Sequence, residues 1–286
     1  MSQIHRVAVL GAGTMGHGIA QVAALAGCDV VLRDINDAAV EKGLLGIRRS
    51  LDKAIEKGKS TKEDAAAAFA RVRPTTDIAA ALQDADLVVE AVPERIDLKR
   101  QVFADALRMA PASAILASNT SSLPIGEIAA GLPAEARGRV VGLHFFNPVP
   151  VMKLVEVVRA PATAPGTVEA AVAFAQRLGK EAIVVRDAPG FATSRLGVAL
   201  GLEAIRMLEE QVARAEDIDK AMTLGYNHPM GPLRLTDLVG LDVRLHIAEG
   251  LSKSLGPRFE PPALLRKMVA EGSLGQKSGH GFYKWS

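Results

Sequence analysis

Short apolar runs alternate with longer helical stretches over the first 186 residues of the chain. The runs are rich in β-branched residues and lack the regular apolar–polar alternation of a strand that has one face in water. They lie at residues 6–10, 29–34, 85–92, 114–118, 140–146, 154–159 and 181–186. Helical periodicity separates them, first at residues 16–28. This order predicts an α/β fold with a doubly wound, mostly parallel sheet that helices cover on both faces.

Two segments depart from this alternation. Residues 37–70 are polar and strongly helical, which predicts a helical pair that projects from the sheet. The stretch "DAPGF" at 187–191 is a turn signal, and helical periodicity then continues with no strand expected before the closing "GFYKW". We therefore expect a first domain over residues 1–186 and a smaller all-α domain over residues 187–286.

Composition narrows the possible partners. Aromatic residues make up only 4% of the chain, and the net charge of +2 is spread without a run of one sign, so neither nucleic acid nor a membrane is expected as a partner. Cys28 is the single cysteine, which excludes a disulfide within the chain and fits a reducing compartment. The opening "MSQIHRVAVLGAG" lacks the layout of a signal peptide, and no apolar run reaches the length of a membrane span. We expect a soluble, cytoplasmic protein without a metal site.

The first strand runs directly into a glycine-rich loop, "VAVLGAGTMG". Gly11, Gly13 and Gly16 have the spacing G-x-G-x-x-G between a strand and a helix, which is the context of a Rossmann-type dinucleotide site. The glycines allow a tight turn, a close approach of a pyrophosphate and close packing of the helix on the strand. A glycine-rich turn in an ordinary α/β domain is the alternative. The cofactor contacts predicted in this loop are Gly11, Ala12, Gly13, Thr14, Met15 and Gly16.

The second strand ends in Asp34, 18 residues beyond Gly16. A carboxylate at this place can accept hydrogen bonds from both ribose hydroxyls and repels a 2′-phosphate, so the sequence favours NAD over NADP. Arg33 is the adjacent residue and could instead accommodate that phosphate.

Two titratable residues interrupt the apolar stretch "GLHFFNPVPVMKLVEVV" at 142–158. In a purely structural interpretation, His144 is a core histidine and Glu156 lies at the tip of an edge strand. Pro148 and Pro150, however, exclude a central strand at the middle of the stretch. If the flanking strands fold back on each other around residue 150, then His144 and Glu156 lie directly opposite each other, with about 5 Å between their Cβ atoms. A carboxylate at that distance can orient an imidazole that removes a hydroxyl proton, as in other acid–base sites.

Seven motifs in order resemble the 3-hydroxyacyl-CoA dehydrogenases from one end of the chain to the other, and the bacterial 3-hydroxybutyryl-CoA enzymes are the nearest group. The motifs are "GAGTMGHGIAQVAA", "DLVVEAVPE", "SNTSSLPI", "GLHFFNPVPVMKLVEVV", "PGF", "LGYNHPMGPLRLTDLVGLD" and "GQKSGHGFY". The resemblance implies reversible oxidation of an L-3-hydroxyacyl-CoA, of short chain length, to the 3-ketoacyl-CoA with NAD.

The resemblance also implies roles for single residues. His144 would be the general base, Glu156 its partner, and Ser121 a group near both the substrate and the nicotinamide. Further cofactor contacts are implied at Glu94, Lys99, Ser121, Asn147 and Lys277, and substrate contacts at Ser50, Lys57, Lys99, Asn119 and Ser121. The resemblance also implies that the second domain helps to form the substrate cleft and that the protein is a homodimer through this domain.

One position departs from the family pattern. In "PGFATSR" Ser194 stands where the family usually has an asparagine that helps to position the substrate and the histidine. A serine can still donate and accept a hydrogen bond, but its reach is shorter. We expect Ser194 to face the substrate, and a helix cap is the structural alternative.

Three other functions are considered. A sister dehydrogenase of the superfamily would act on a free hydroxy acid or sugar acid. A redox-sensing or structural protein would bind NAD without catalysing a reaction. The presence of His144, Glu156 and Ser121 argues against this function. A β-hydroxyacid dehydrogenase with a lysine base would need a lysine in "PGFATSRLGVAL", which has none.

Overall fold

The computed structural model describes residues 4–285. The chain divides into two compact units, the first ending at Asp187 and the second beginning at Ala188. Among the described residues, no helix combines the length and the apolar character that crossing a bilayer requires.

The first unit is built on one eight-stranded sheet. In space the strands follow the order β3-β2-β1-β4-β5-β6-β7-β8, and every neighbouring pair is parallel except β6 with β7. The predicted mostly parallel sheet is therefore confirmed. The strands are β1 (Arg6–Leu10), β2 (Asp29–Arg33), β3 (Val72–Thr75), β4 (Leu87–Glu90), β5 (Ile115–Ser118), β6 (Val140–Phe145), β7 (Leu154–Arg159) and β8 (Glu181–Arg186).

Strand β3 has no counterpart among the predicted strands. Its sequence contains Arg73 and Pro74, and a proline is tolerated at the edge of a sheet, where its missing N–H breaks no central ladder. Hydrophobic patterning misses such a strand because only Val72 is buried in it.

Seven α-helices lie among the described residues of the first unit, and a buried apolar cluster lies between the sheet and α1, α2, α3 and α7. The helices are α1 (Thr14–Leu25), α2 (Asp37–Glu56), α3 (Lys62–Ala70), α4 (Ile78–Leu82), α5 (Ile96–Met109), α6 (Ile125–Ala129) and α7 (Pro165–Arg177). Helix α1 begins two residues earlier than expected and ends before Gly27, whose φ of +80° is a left-handed conformation that favours glycine.

Helices α2 and α3 occupy the segment 37–70. Asn36 and Thr61 cap the two helices, because their side-chain oxygens accept hydrogen bonds from the amides of Ala39 and Asp64. The pair does not simply project from the sheet. Gly43 of α2 packs so closely on the glycine-rich loop that a Cβ there would lie 2.8 Å from the Ala12 side chain.

The second unit is helical. Its helices are α8 (Thr193–Glu209), α9 (Ala215–Gly225), α10 (Pro232–Val239), α11 (Leu241–Leu255) and α12 (Ala263–Ala270), and they enclose a core of their own. Within the closing "GFYKW", Lys284 forms one isolated bridge, with His280, and the segment is not a strand. The buried carboxylate of Asp237 fixes this segment by accepting hydrogen bonds from the amides of Phe282 and Tyr283 and from Nε1 of Trp285.

Candidate active site

The candidate residues of the first unit follow the carboxyl ends of its strands. The glycine-rich loop comes after β1, Asp34 after β2, Glu94 after β4 and Ser121 after β5, while His144 lies one residue before the end of β6. Because these five strands are parallel, all of these residues lie along one edge of the sheet. The strand order reverses between β1 and β4, and ligands of open α/β sheets bind at such a point.

The glycine-rich loop has the geometry that a pyrophosphate requires. Gly11 has a φ of +108°, and a Cβ there would lie 2.5 Å from the carbonyl oxygen of Ala91. A Cβ on Gly16 would lie 1.7 Å from the carbonyl oxygen of Gly11, so only glycine fits. A Cβ on Gly13 would meet no atom within 4 Å, and no side chain caps the start of α1. The exposed loop at Gly13 and Thr14 therefore leads into a helix N-terminus that suits an anion.

Asp34 is fixed by the backbone around it. Its Oδ2 accepts a hydrogen bond of 2.7 Å from the amide of Ala12, and its Oδ1 accepts one of 2.7 Å from the amide of Ile35. Each oxygen keeps a second lone pair for a ribose hydroxyl. Nε of Arg33 donates a hydrogen bond to the carbonyl oxygen of Thr76, the residue that follows β3.

His144 and Glu156 lie directly opposite each other in the antiparallel pair β6–β7, so the expected hairpin register is confirmed. Nδ1 of His144 lies 2.6 Å from Oε2 of Glu156. The histidine is 6% exposed and the glutamate 0%. The ring of Phe146 lies against the imidazole, with 4.5 Å between the ring centroids. This is a buried imidazole–carboxylate pair, in which the carboxylate orients the ring and compensates a positive charge on it.

Two side chains hold the end of β6 and the connection to β7. Oδ1 of Asn119 accepts a hydrogen bond of 2.9 Å from the amide of Phe145, next to His144. The buried amine of Lys180 donates to the carbonyl oxygens of Val149 and Met152, both at 2.7 Å. Burial lowers the pKa of Lys180. Sequence reasoning did not identify Lys180, because its role depends on a loop 28 to 31 residues away.

Glu94 organises the loop that carries Ser121. Its Oε1 accepts hydrogen bonds from the hydroxyl of Thr120 at 2.6 Å, the amide of Ser121 at 3.2 Å, and both the amide and the hydroxyl of Ser122. Burial by itself raises the pKa of Glu94. The charge of Lys99 and the hydrogen bonds outweigh it, so that the pKa lies below its usual value. The carboxylate is therefore ionised at neutral pH.

Lys99, for which the resemblance implies contacts with cofactor and substrate, is 1% exposed. Its amine lies between Glu94 and a second acid, Glu90, which sequence reasoning missed. Glu90 ends the apolar strand "LVVE", and an acid in such a run is the same signal that singled out Glu156.

The remaining candidates lie in other parts of the chain. Ser50 is half-buried on α2, and Lys57 follows the end of that helix two turns later, on the same side. Asn147 is exposed just after β6. In the second unit, Nζ of Lys277 contacts Oδ2 of Asp242 at 2.5 Å.

Ser194 lies in the first turn of α8, also in the second unit. The cap position of that helix is occupied by Ala192, with no side-chain cap bond. Ser194 therefore lies inside the helix, two residues beyond its cap position.

A glycine-rich loop of the dinucleotide type, an acid directly after β2 and a buried imidazole–carboxylate pair lie at one end of the sheet, which is the arrangement of an NAD-dependent dehydrogenase. Residues 6–188 match the 3-hydroxyacyl-CoA dehydrogenase NAD-binding domain, and residues 190–285 match the C-terminal domain of the same family. The chain belongs to the 3-hydroxyacyl-CoA dehydrogenase family, and its cofactor is NAD.

Relatives of known or assigned activity agree with this classification. The chain is 46% identical over 284 residues to a probable 3-hydroxybutyryl-CoA dehydrogenase of Bacillus subtilis, covering 99% of this chain and 98% of the relative. The crystal structure of (S)-3-hydroxybutyryl-CoA dehydrogenase from Ralstonia eutropha has a TM-score of 0.94 and 43% identity, covering 99% and 100% of the two chains. A diketoreductase that acts on dicarbonyl compounds has a TM-score of 0.88 and 32% identity, with full coverage of both chains.

Proposed function

We propose that this protein oxidises a short-chain L-3-hydroxyacyl-CoA, with 3-hydroxybutyryl-CoA as the preferred class, to the 3-ketoacyl-CoA, and that the reaction is reversible. The observation that carries the proposal is the buried pair of His144 and Glu156, whose nitrogen and oxygen lie 2.6 Å apart. The names of the relatives that match over nearly the full length support the substrate class.

The chemistry needs a base that acts as the hydride leaves. NAD, when bound, accepts the hydride from C3 of the substrate. During this oxidation His144 takes the proton of the C3 hydroxyl, and the C3–O bond becomes a carbonyl. Because Nδ1 faces Glu156, proton exchange with the substrate is assigned to Nε2. Glu156 stabilises the imidazolium that forms, which would otherwise be costly at a site with so little exposure.

Other residues of the chain bind and orient the reactants in this proposal. The loop at 11–16 and Asp34 hold the pyrophosphate and the ribose, while Asn147 and Lys277 contribute to the cofactor site. Ser121 and Asn119 contact the acyl group, and Ser50 with Lys57 contact coenzyme A. Ser194 takes the place of the family's asparagine toward the substrate, through its shorter hydroxyl.

The cofactor preference is expected to depend on Asp34. The wild-type enzyme should have a kcat/KM with NADH at least about tenfold above that with NADPH, because a fixed carboxylate repels a 2′-phosphate. Replacing Asp34 with alanine should lower the ratio of kcat/KM with NADH to kcat/KM with NADPH. The same replacement at Asp37, an exposed acid nearby, should leave this ratio unchanged. Both ratios follow from the rate of NADH or NADPH oxidation. Equal use of NADPH by the wild type would show that Arg33 overrides the carboxylate.

The substrate class can be tested by following NADH oxidation with acetoacetyl-CoA and with free acetoacetate. We expect kcat/KM to be about 10²-fold or more higher for the thioester, because the remote contacts with coenzyme A contribute binding energy to the transition state. The second candidate is a dehydrogenase of a free hydroxy acid or dicarbonyl compound, which the likeness to the diketoreductase favours. Equal or faster turnover of acetoacetate would support that candidate and contradict the coenzyme A assignment.

We further propose a homodimer that forms through the second unit. Large apolar side chains are exposed there, and a symmetric partner would bury them. The most exposed are Leu196, Leu224 and Tyr226, at 70%, 82% and 76%. A reducing compartment such as the cytoplasm is also proposed, because Cys28 is the single cysteine and is buried.

A further inference from the structure

The connection between β6 and β7, residues 146–153, begins directly after the strand that carries the proposed base. Pro148 and Pro150 have no amide hydrogen, so this short segment lacks two backbone donors. The amides of Val151 and Met152 both donate to the carbonyl oxygen of Pro148, at 2.9 and 3.0 Å, and so close a turn. The other carbonyl groups of the connection need donors from elsewhere in the chain, because buried backbone acceptors are costly to leave unpaired.

Lys180 supplies such donors. It directly precedes β8, which runs parallel to β7, so its side chain starts beside the connection. The residue is 8% exposed, and Nζ donates to the carbonyl oxygens of Val149 and Met152, both at 2.7 Å. The backbone of Lys180 is itself fixed, since its amide donates to the carbonyl oxygen of Ala175 near the end of α7. The lysine therefore ties the connection to the junction of α7 and β8.

The connection contacts the catalytic pair on one side and the cofactor helix on the other. The ring of Phe146 packs against the imidazole of His144, with 4.5 Å between the centroids. Glu156 fixes Nδ1, but a single hydrogen bond does not set the tilt of the ring, and a packed neighbour does. Val149 is 2% exposed and lies against α1, where a Cβ on Gly18 would lie 2.9 Å from the Cβ of Val149.

We propose that Lys180 is a positioning residue for the dehydrogenase reaction. By holding the carbonyl oxygens of Val149 and Met152, it fixes the course of the connection, and the connection keeps Phe146 against His144 while the proton is transferred. Lys180 acts through the connection and not by contact with the reacting atoms. The inference rests on the proposed function for its kinetic readout, but the order of the connection can be measured without any turnover.

Lys180→Met is the central variant, since it keeps an unbranched side chain and removes the donors. Three quantities are measured: hydrogen exchange at the amides of Val151 and Met152, the Kd of NADH by fluorescence, and kcat for ketone reduction well below the melting temperature. We expect exchange to accelerate about tenfold or more and kcat to fall about 10- to 100-fold, because small displacements of a positioned group are costly. The Kd of NADH should change by less than about threefold, since the loop at 11–16 and Asp34 remain intact.

Two control variants separate positioning from loss of a surface charge and from general stability. Lys153→Met makes the same substitution at an exposed position of the same connection and should change none of the three quantities. Phe174→Leu truncates a buried side chain of α7 and should lower the melting temperature without changing kcat or exchange at the two amides. If Lys180→Met does not fold, Lys180→Gln keeps a donor with shorter reach and should give the same pattern at about threefold.

Phe146→Leu tests the contact between the connection and the base. It removes the aromatic ring but leaves the bonds of Lys180, so kcat should fall about 3- to 30-fold while exchange at Val151 and Met152 stays at the wild-type rate. A Phe146→Leu enzyme with wild-type kcat would overturn the proposal, since the connection would then have no effect on His144.

The results for Lys180→Met can also overturn the proposal in three ways. Faster exchange with unchanged kcat would show that the lysine only stabilises the connection. Unchanged exchange would show that the lysine does not hold it, and a large rise in the Kd of NADH with unchanged kcat would show a role in cofactor binding instead. The kinetics use acetoacetyl-CoA or free acetoacetate, whichever the wild type reduces faster. Failure of the coenzyme A assignment is therefore seen in the wild type alone and is distinct from failure of this inference.

Discussion

Replacement of His144 by asparagine is expected to lower kcat for the reduction of acetoacetyl-CoA by about 10²–10⁴-fold, the usual contribution of a positioned acid–base group. The asparagine amide can still donate to Glu156, so the buried carboxylate keeps a partner while the titratable nitrogen is lost. His144→Ala should lose a similar factor in kcat. It should also melt at a lower temperature, because it leaves Glu156 at 0% exposure without the imidazole.

The controls for this prediction are simple. His246 lies exposed on α11, and its replacement by asparagine should leave kcat unchanged. The Kd of NADH, measured by fluorescence, should be the same in the His144 variants as in the wild type. If His144→Asn kept kcat within about threefold of the wild type, His144 would not be the proton-transfer group.

Replacement of Glu156 by glutamine is the second change with a large expected effect. The amide oxygen can still accept a hydrogen bond from Nδ1, but the negative charge that stabilises the imidazolium is gone. By comparison with other orienting acids, kcat should fall by about 10²–10⁴-fold. NADH binding should be little changed.

Glu181→Gln provides the matched control for this variant. It makes the same substitution at an exposed position of the adjacent strand β8, and we expect it to leave kcat unchanged. Comparable losses in the two variants would point to a general charge effect. A Glu156→Gln enzyme with near-normal kcat would show that the ring needs no charged partner.

Patterning along the chain predicts most of this fold because the strands are continuous apolar runs. The strands at 6–10, 154–159 and 181–186 occur at the predicted residues. The pairing of His144 with Glu156 depends on an assumed turn around residue 150, which the prolines at 148 and 150 make reasonable and which the structure confirms. Strand β3 escapes prediction because an edge strand with Arg73 and Pro74 has almost no apolar pattern.

The parts that could not be predicted are contacts between residues whose positions depend on the fold. Glu90 and Lys99 come together because β4 ends and α5 begins at the same edge of the sheet. Lys180 reaches the connection between β6 and β7 only because β8 lies beside β7. Such polar contacts have no periodicity, so composition and spacing carry no signal for them beyond the presence of a charged residue in an apolar run.

The central claim is that Glu156 works through His144, and a double-mutant cycle on kcat tests it most directly. The cycle compares the wild type, His144→Ala, Glu156→Gln and the double variant at saturating NADH and acetoacetyl-CoA. Residues that act as one unit give losses that do not multiply. The pair at 2.6 Å therefore predicts a double variant within about threefold of His144→Ala. A double variant slower by the product of the two single losses would show that the residues act independently, and would contradict the mechanism.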